Sequence, residues 1–254
     1  MARSGFDFGA EFRKKLAEGT HEYGVKGIIT AGKRIYPLGT DTKVLSTIFE
    51  AIARPTIYEI AAEHGLTVKE PSVQNVYPDF TLMEDEADPA KIAVDVKSTY
   101  YVKDTDRVVF TLGGYTSFIR DQCKSILYPY DQYAEEWVIG YIYKQKAPEE
   151  VPAHIYDFED FHRVAVPFDE VKVFVQQKWK ISGDVAGSGN TTNIGSIRGR
   201  LDDFEAGRTP FNDKAEFLAY WRGYGKTKAT RAYKNIAEFR IKKKEAETNP
   251  PPEG

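Results

Sequence analysis

Apolar residues recur at helical spacing near the start of the chain and again after residue 40. The first set predicts a helix over about 7–23 with charged residues on its opposite face; it consists of Phe8, Phe12 and Leu16. The second set follows Asp41, a typical N-cap residue, and consists of Val44, Leu45, Ile48, Phe49 and Ile52. Because Pro55 suits the first turn of a helix, we predict a separate helix there that ends near Gly65.

From about residue 78 onward, apolar and polar residues alternate, which predicts strands. The predicted strands are Pro78 to Met83, Lys91 to Val102, Arg107 to Leu112, Trp137 to Tyr143 and Val171 to Ile181. Short connections join the first three, so we expect a meander. An earlier hairpin is predicted over 25–36, and further helices over 114–125, 214–224 and 229–244. Helices that flank a mixed β-sheet form an α/β layered architecture.

The composition is that of a folded protein with one main domain. The chain has 254 residues, of which 41% are hydrophobic and 29% charged. These proportions are usual for globular proteins, and the length fits a single core. No run of about 18 apolar residues occurs, so we expect a cytoplasmic protein without a membrane span. Cys123 is the only cysteine, which excludes an internal disulfide.

The uneven distribution of charge allows a polyanionic partner despite the net charge of −3. Acidic residues gather in 84–88 and again over 149–170, whereas 222–244 holds nine Lys or Arg and a single acid, Glu238. A basic segment of this kind can neutralise phosphates whatever the total charge is. A solvated helix face is the alternative interpretation.

Two acidic residues and a lysine form the candidate catalytic group. Asp79 follows Pro78 at the start of a predicted strand, and fifteen residues separate it from Asp95. Period-two alternation places Asp95 and Lys97 on one face of the next strand. The turn-like segment 84–89 makes the two strands plausible neighbours, so both carboxylates can converge. The alternative is a surface ion pair beside an aspartate that caps a turn.

Carboxylate oxygens that converge in this way suit Mg²⁺, which completes its octahedral shell with water and substrate phosphate. Such an ion would activate a water molecule for in-line phosphodiester hydrolysis, and Lys97 would stabilise the charge that develops on phosphorus. Mn²⁺ is expected to substitute. Glu50 lies outside the apolar stripe of its helix and is a candidate ligand of a second ion.

The segment from Gly183 to Ser196 is rich in Gly, Ser, Thr and Asn, which predicts one long loop. Its glycines let the backbone approach another molecule closely. An asparagine of this segment could pair with adenine, and the methyl group of a threonine could pack on the methyl group of thymine. A phosphate-binding loop of the Walker type is excluded, because the Gly-Lys-Ser/Thr ending is absent.

The Pro-Asp and Asp-x-Lys pattern resembles the PD-(D/E)xK nuclease superfamily. Together with 183–196, the segments from Gly39 to Glu50 and from Thr111 to Arg120 closely resemble the EcoRV-like type II restriction endonucleases, over about 27–240. This resemblance implies a restriction-endonuclease-like fold. It also implies a homodimer that binds double-stranded DNA and makes a Mg²⁺-dependent blunt cut at GATATC, leaving 5′-phosphate and 3′-hydroxyl ends. A companion DNA methyltransferase could act on the same site.

The resemblance also implies roles for individual residues. Asp79, Asp95 and Lys97 would be catalytic, with Glu50 as an auxiliary acid and metal ligand. The residues implied in the major groove are Gly187, Ser188, Gly189, Asn190 and Thr191. Gln74 and Asn75 match the minor-groove loop of the family, whereas Val73 and Val76 stand where a relative has glutamine and histidine. The implied phosphate contacts are Thr42, Thr99, Ser117, Lys124, Thr227 and Arg231.

We expect one restriction-endonuclease domain with two subdomains. Residues 1 to about 40 and 149–159 would form the dimer contact, and about 41–148 and 160–245 would bind and cut DNA. Residues 246–254 are rich in proline and are expected to be disordered. Two alternatives remain at this point: a repair or structure-specific nuclease, and a sequence-specific DNA-binding protein that has lost catalysis.

Overall fold

A five-stranded mixed sheet forms the centre of the molecule. The computed structural model describes residues 5–19, 22–73, 75–102, 105–187, 192–225 and 231–248. In spatial order the strands are β3 (Thr67–Lys69), β4 (Phe80–Met83), β5 (Lys91–Tyr100), β7 (Tyr133–Gln145) and β9 (Phe168–Gln177). Strands β5 and β7 are parallel, and the other neighbours are antiparallel. The predicted α/β architecture with a mixed sheet is confirmed.

Two small sheets flank this centre. One contains β1 (Gly27–Ile29), β2 (Arg34–Pro37) and β8 (Tyr156–Asp157); the other contains β10 (Ser182–Ala186), β11 (Asn193–Ser196) and β6 (Thr111–Gly114). The predicted three-strand meander is wrong, because β6 pairs with β11 instead of β5. The segment predicted as one long loop holds the paired strands β10 and β11.

The helices are α1 (Phe8–Glu18), α2 (Thr42–Glu63), α3 (Lys178–Ile181), α4 (Leu201–Glu205), α5 (Lys214–Gly223) and α6 (Ile236–Thr248). Short 3-10 turns occupy Tyr130–Gln132, Pro148–Glu150 and Phe158–Arg163. The carboxylate of Asp41 caps α2 by accepting from the backbone N–H groups of Lys43 and Val44. The hairpin predicted over 25–36 is confirmed by β1 and β2.

The prediction of two helices around Pro55 is wrong, because α2 continues through this residue. Proline removes one helical hydrogen bond and normally ends or kinks a helix. Here the apolar stripe runs on beyond it, and these stripe residues are buried: Ala53, Ile57, Ile60 and Ala61. Burial of the stripe outweighs the cost of the proline.

Other predicted boundaries also differ from the structure. Residues 114–125 form a series of turns instead of a helix, and the strand predicted to reach Ile181 ends at Gln177, where α3 follows. Helix α1 ends at Glu18 rather than near residue 23. Helix α6 begins at Ile236 rather than at 229 and extends to Thr248, so 246–248 are helical. The remainder of the predicted tail lies outside the described residues.

The central sheet separates two hydrophobic clusters, and this arrangement positions the candidate site. On β5, the side chains of Val94 and Val96 belong to the cluster covered by α1 and α2, whereas Ala93 belongs to the cluster that includes α5. Because side chains alternate along a strand, Asp95 and Lys97 continue the row of Ala93.

No helix within the described ranges is long and apolar enough to cross a membrane.

Candidate active site

Strand pairing brings the predicted acid and base residues together. Phe80 on β4 pairs with Val94 on β5, so Asp79 lies beside the part of β5 that follows Val94. The backbone N–H of Val96 donates to Oδ2 of Asp79 at 2.7 Å. The prediction that the strands carrying Asp79 and Asp95 are neighbours is therefore confirmed.

The ammonium group of Lys97 links the two carboxylates. Its Nζ lies 2.8 Å from Oδ2 of Asp95 and 3.5 Å from Oδ2 of Asp79. The side chain of Asp95 is only 4% exposed, whereas those of Asp79 and Lys97 are about one quarter exposed. The three groups thus share one partly open pocket and are not scattered over the surface.

Burial and neighbouring charges shift the pKa values of Asp79 and Lys97. Burial raises the pKa of Asp79 to about 7, and the charges of Asp95 and Glu50 add to this effect, although Lys97 and the Val96 N–H oppose it. Burial alone would lower the pKa of Lys97, but the two aspartates hold it well above its usual range. Lys97 is therefore a cation at neutral pH.

A cavity of about 480 Å³ opens in front of the three groups. Its lining is made of Asn75, Val76, Tyr77, Asp79, Asp95, Lys97, Gly113, Gly114, Thr116, Ser117, Phe118, Ser125, Thr192 and Asn193. Two of the predicted DNA contacts, Asn75 and Ser117, line this cavity together with Asp79, Asp95 and Lys97. Asn75 has a positive φ of 62°, a backbone conformation that asparagine tolerates better than most residues.

Glu50 lies on the other side of Asp79. It lines a second cavity of about 510 Å³ together with Asp79, Asn75 and Val73. Its carboxylate is 3.7 Å from the guanidinium of Arg54. Glu50 and Asp79 therefore line one cavity, which Arg54 also lines, and Asp79 belongs as well to the cavity in front of Lys97.

Two of the predicted phosphate contacts share a third cavity, of about 600 Å³, with Lys97. Thr42 enters it from the first turn of α2, and Thr99 enters it from β5. Lys43 and Ser46 also line this cavity, and our sequence analysis did not single them out. Their position after the N-cap Asp41 is a signal that could have indicated them, because helix N-termini attract anions.

Of the remaining predicted phosphate contacts that the structure describes, only Ser117 lines the cavity of Asp79, Asp95 and Lys97. The hydroxyl of Ser117 donates to the carbonyl of Gly114 at 2.9 Å. Lys124 is exposed and does not line the catalytic cavity, whereas its neighbour Ser125 does. The guanidinium of Arg231 stacks on the ring of Tyr224 at 4.8 Å, and its buried Nε has no hydrogen-bond partner among the described residues.

Several predicted base and phosphate contacts lie outside the described residues: Gln74, Ser188, Gly189, Asn190, Thr191 and Thr227. The flanks of the glycine-rich segment are described, and the N–H of Gly187 donates to the carbonyl of Asn193 at 2.8 Å. Of the two flanks, Thr192 and Asn193 line the cavity of Asp79, Asp95 and Lys97.

Thr192 and Asn193 also line this cavity but were not predicted from the sequence as individual site residues. They reach the catalytic cavity because Asn193 on β11 pairs with Gly114 on β6. This pairing joins residues about eighty positions apart, and local sequence patterns carry no signal for it. It places Thr192 and Asn193 in the same cavity as Asp79, Asp95 and Lys97.

The donor set fits Mg²⁺. Within the described parts of the chain, no three His, Cys, Asp or Glu side chains converge on one point, so Asp79 and Asp95 would be the only protein side chains on the first ion. One or two carboxylates, with water and phosphate in the other positions, are usual for Mg²⁺. A cation between these carboxylates would also offset the burial and the carboxylate repulsion that raise the pKa of Asp79.

Comparison with known proteins gives two matches. The family model described as restriction endonuclease EcoRV matches residues 19–244. The type II restriction enzyme EcoRV of Escherichia coli is 50% identical over 227 residues, which cover 89% of this chain and 93% of that protein. The match includes the strands that carry Asp79, Asp95 and Lys97, and the glycine-rich segment.

Proposed function

Because this chain belongs to the EcoRV family of restriction endonucleases, it is a site-specific endonuclease, and we propose that it makes a blunt cut in double-stranded DNA at GATATC. The observation that carries this proposal is the position of the Lys97 ammonium between the carboxylates of Asp79 and Asp95. The cavity in front of them is also lined by Thr192 and Asn193, next to the proposed base-reading segment.

The reaction we propose is Mg²⁺-dependent hydrolysis. When bound, Mg²⁺ would stabilise the negative charge that develops on the scissile phosphate and make the attacking water more acidic. Asp79 and Asp95 would hold the cation, and Glu50 would be available to a second one. The Lys97 ammonium stabilises the negatively charged transition state. Water attacks phosphorus in line with the leaving oxygen, and the bond from phosphorus to the 3′ oxygen breaks. The attacking water loses a proton and the 3′ oxygen gains one, leaving 5′-phosphate and 3′-hydroxyl ends.

Recognition of the bases is proposed for two segments. Residues 187–191 would read the major groove, with Asn190 on adenine and Thr191 on the thymine methyl group. Gln74 and Asn75 would face the minor groove. Thr42, Thr99, Ser117, Lys124, Thr227 and Arg231 would contact phosphates, and these contacts position a duplex without reading its sequence.

A palindromic site requires two equivalent active sites, so we propose a homodimer with two-fold symmetry. The sheet of β1, β2 and β8 supports this proposal, since exposed apolar side chains lie on β1 and β2, just before β8 and on the 3-10 turn after it: Ile28, Ile29, Tyr36, Ile155, Phe158 and Phe161. Residues 1 to about 40 and 149–159 would thus form a dimerisation subdomain. The enzyme would act on DNA in the cytoplasm, beside a methyltransferase that protects the same sequence.

Digestion of a plasmid of known sequence tests the proposal. With Mg²⁺, the purified protein should give discrete fragments whose sequenced ends are blunt and fall at the centre of GATATC. A plasmid with one base of each such site changed is the matched control and should remain intact. Fragments with random ends would instead support a repair or structure-specific nuclease. Sequence-specific binding without any product would support a DNA-binding protein that has lost catalysis.

A further inference from the structure

A buried ion pair lies behind the wall of the catalytic cavity. Glu136 is on β7, and Lys178 is the first residue of α3. Their side chains are 3% and 0% exposed, and Nζ of Lys178 lies 3.2 Å from Oε2 of Glu136. Nζ of Lys214 approaches the other carboxylate oxygen at 3.9 Å. Both members of the pair are thus held away from water.

The contacts of this ion pair converge on the cavity wall. The hydroxyl of Tyr77 donates to Oε2 of Glu136 at 2.8 Å, and the hydroxyl of Tyr130 donates to Oε1 at 2.5 Å. Nζ of Lys178 lies 4.2 Å from the ring centroid of Tyr77 and 4.6 Å from that of Phe118. These two rings stack on each other at 4.2 Å, and both line the catalytic cavity.

Tyr77 precedes Asp79 by two residues and is fixed at several points. Its N–H donates to the carbonyl of Ser125 at 3.0 Å, and its own carbonyl accepts from the N–H of Leu127 at 2.8 Å. Its ring is held by Phe118 and Lys178, and its hydroxyl by Glu136. The backbone of Val96 thus holds the Asp79 carboxylate directly, whereas Tyr77 fixes the backbone two residues before Asp79.

Stability alone does not account for a charged pair at this place. Two buried charges lose their hydration, and replacement of such a pair by neutral groups of similar size is often neutral or stabilising. Burial raises the pKa of Glu136, but Lys178, Lys214 and the two tyrosine hydroxyls outweigh it and hold the pKa below its usual value. Glu136 is therefore an anion at neutral pH, and a stronger acceptor for tyrosine hydroxyls than a neutral amide would be.

We propose that Glu136 and Lys178 are positioning residues that act through Tyr77 to orient the Asp79 carboxylate towards the cation and the scissile phosphate. This inference rests on the proposed nuclease function. A small displacement of a reacting group is enough to matter, since a misplacement of about 1 Å can reduce a rate about 10²-fold.

Three variants separate positioning from folding. The double variant Glu136→Gln/Lys178→Met removes both charges but keeps the size of each side chain, so that no unpaired charge remains buried. Tyr77→Phe removes only the hydroxyl and keeps the stacked ring. Tyr128→Phe is the matched control, because its hydroxyl also donates to a carboxylate, that of Glu86 at 2.5 Å, and neither residue lines the catalytic cavity.

The measurements are the melting temperature, the affinity for a GATATC duplex in EDTA, and kcat and KM with Mg²⁺. Binding of Mn²⁺ is measured on the complex of the protein with a non-hydrolysable duplex. The electron paramagnetic resonance signal of free Mn²⁺ decreases as the ion binds. In the double variant we expect a near-normal melting temperature, DNA affinity and KM. Its kcat should fall about 10²-fold, with weaker Mn²⁺ binding. Tyr77→Phe should change in the same direction, and Tyr128→Phe should match the wild type.

The inference is overturned if the double variant and Tyr77→Phe keep wild-type kcat and Mn²⁺ binding. It is also overturned if every loss of kcat is matched by a loss of melting temperature and DNA affinity, since the pair would then only support the fold. Should the double variant fail to fold, Tyr77→Phe decides by the same measurements. The wild type is assayed in parallel, and its failure to cut any duplex would reject the proposed function instead.

Discussion

The Asp79 carboxyl lies in surroundings that favour its protonated form. Burial and the nearby charges of Asp95 and Glu50 raise its pKa to about 7. The hydrogen bond from Val96 and the ammonium of Lys97 compensate only in part. A residue with this pKa stores unfavourable electrostatic energy at neutral pH that a bound cation can release, as is common at functional sites.

A pH-dependent change in the stability of the metal-free protein follows from this pKa. Between about pH 4 and pH 7 the folded protein holds a proton on Asp79 that the unfolded chain has lost. The contribution of Asp79 to the free energy of unfolding therefore decreases as the pH rises through this interval. Asp79→Asn, which cannot titrate, should show a smaller decrease. Urea unfolding in EDTA at pH 5 and pH 7.5 measures this, and equal decreases in both proteins would contradict the assignment.

The arrangement of the three candidate catalytic residues could be predicted from sequence because it is local. Alternation along one strand is enough to place Asp95 and Lys97 on the same face, and the short turn before β5 makes β4 its neighbour. Thr192 and Asn193 could not be predicted in this way. Their place depends on the pairing of β6 with β11, and a pattern within either segment says nothing about its partner.

At the scale of elements, helix α2 connects the core to the site. Its buried face includes Phe49, whose ring packs against Tyr141 at 4.7 Å, Phe168 at 5.1 Å and Tyr143 at 5.2 Å. The next residue, Glu50, faces the cavity beside Asp79. The packing of one residue thus fixes the direction of the next.

Truncation of Phe49 tests this connection. Phe49→Ala should lower the free energy of unfolding by about 3–5 kcal/mol, because it leaves a cavity among three aromatic rings. Val44→Ala is the control on the same helix, since Val44 is 38% exposed, and it should change the stability by less than about 0.5 kcal/mol. Denaturant unfolding measures both, and similar losses in the two variants would show that Phe49 has no special place in the core.

Helix α2 also shows where sequence rules compete. The prediction of Asp41 as the N-cap is confirmed, whereas the prediction that Pro55 begins a new helix is wrong. A helix can retain a proline when its apolar stripe continues into the core on both sides, as Ala53 and Ile57 do here. The predicted helix over 114–125 is wrong because burial of apolar residues does not require a helix. Phe118 and Ile119 are buried, but they belong to a series of turns.

At the scale of the whole molecule, the apolar surface of β1, β2 and β8 remains unexplained within a single chain. Ile28 and Tyr36 face each other across the strand pair β1 and β2 and are 60% and 48% exposed. A patch of this kind on a folded protein usually marks an interaction surface. A second copy of the chain is the partner that the proposed palindromic site requires.

A charge placed in this patch should separate the subunits. Ile28→Glu would bury an unpaired carboxylate at the proposed contact, so the protein should sediment as a monomer at concentrations where the wild type is a dimer. Ile241→Glu is a suitable control, because Ile241 is equally exposed but lies on α6. Analytical ultracentrifugation distinguishes the two. If the Ile28→Glu variant remains a dimer, the dimer contact does not lie in this patch. If the wild type is a monomer, the proposed homodimer is wrong.

The central claim is that Asp79, Asp95 and Lys97 act together in one Mg²⁺-dependent hydrolytic site. Its most direct test is the single-turnover cleavage of a GATATC duplex by the wild type and by Asp95→Asn, with the affinity for the same duplex measured in EDTA. We predict that the variant binds the duplex normally but cleaves it at least about 10³-fold more slowly. Cleavage by Asp95→Asn at the wild-type rate would contradict the claim.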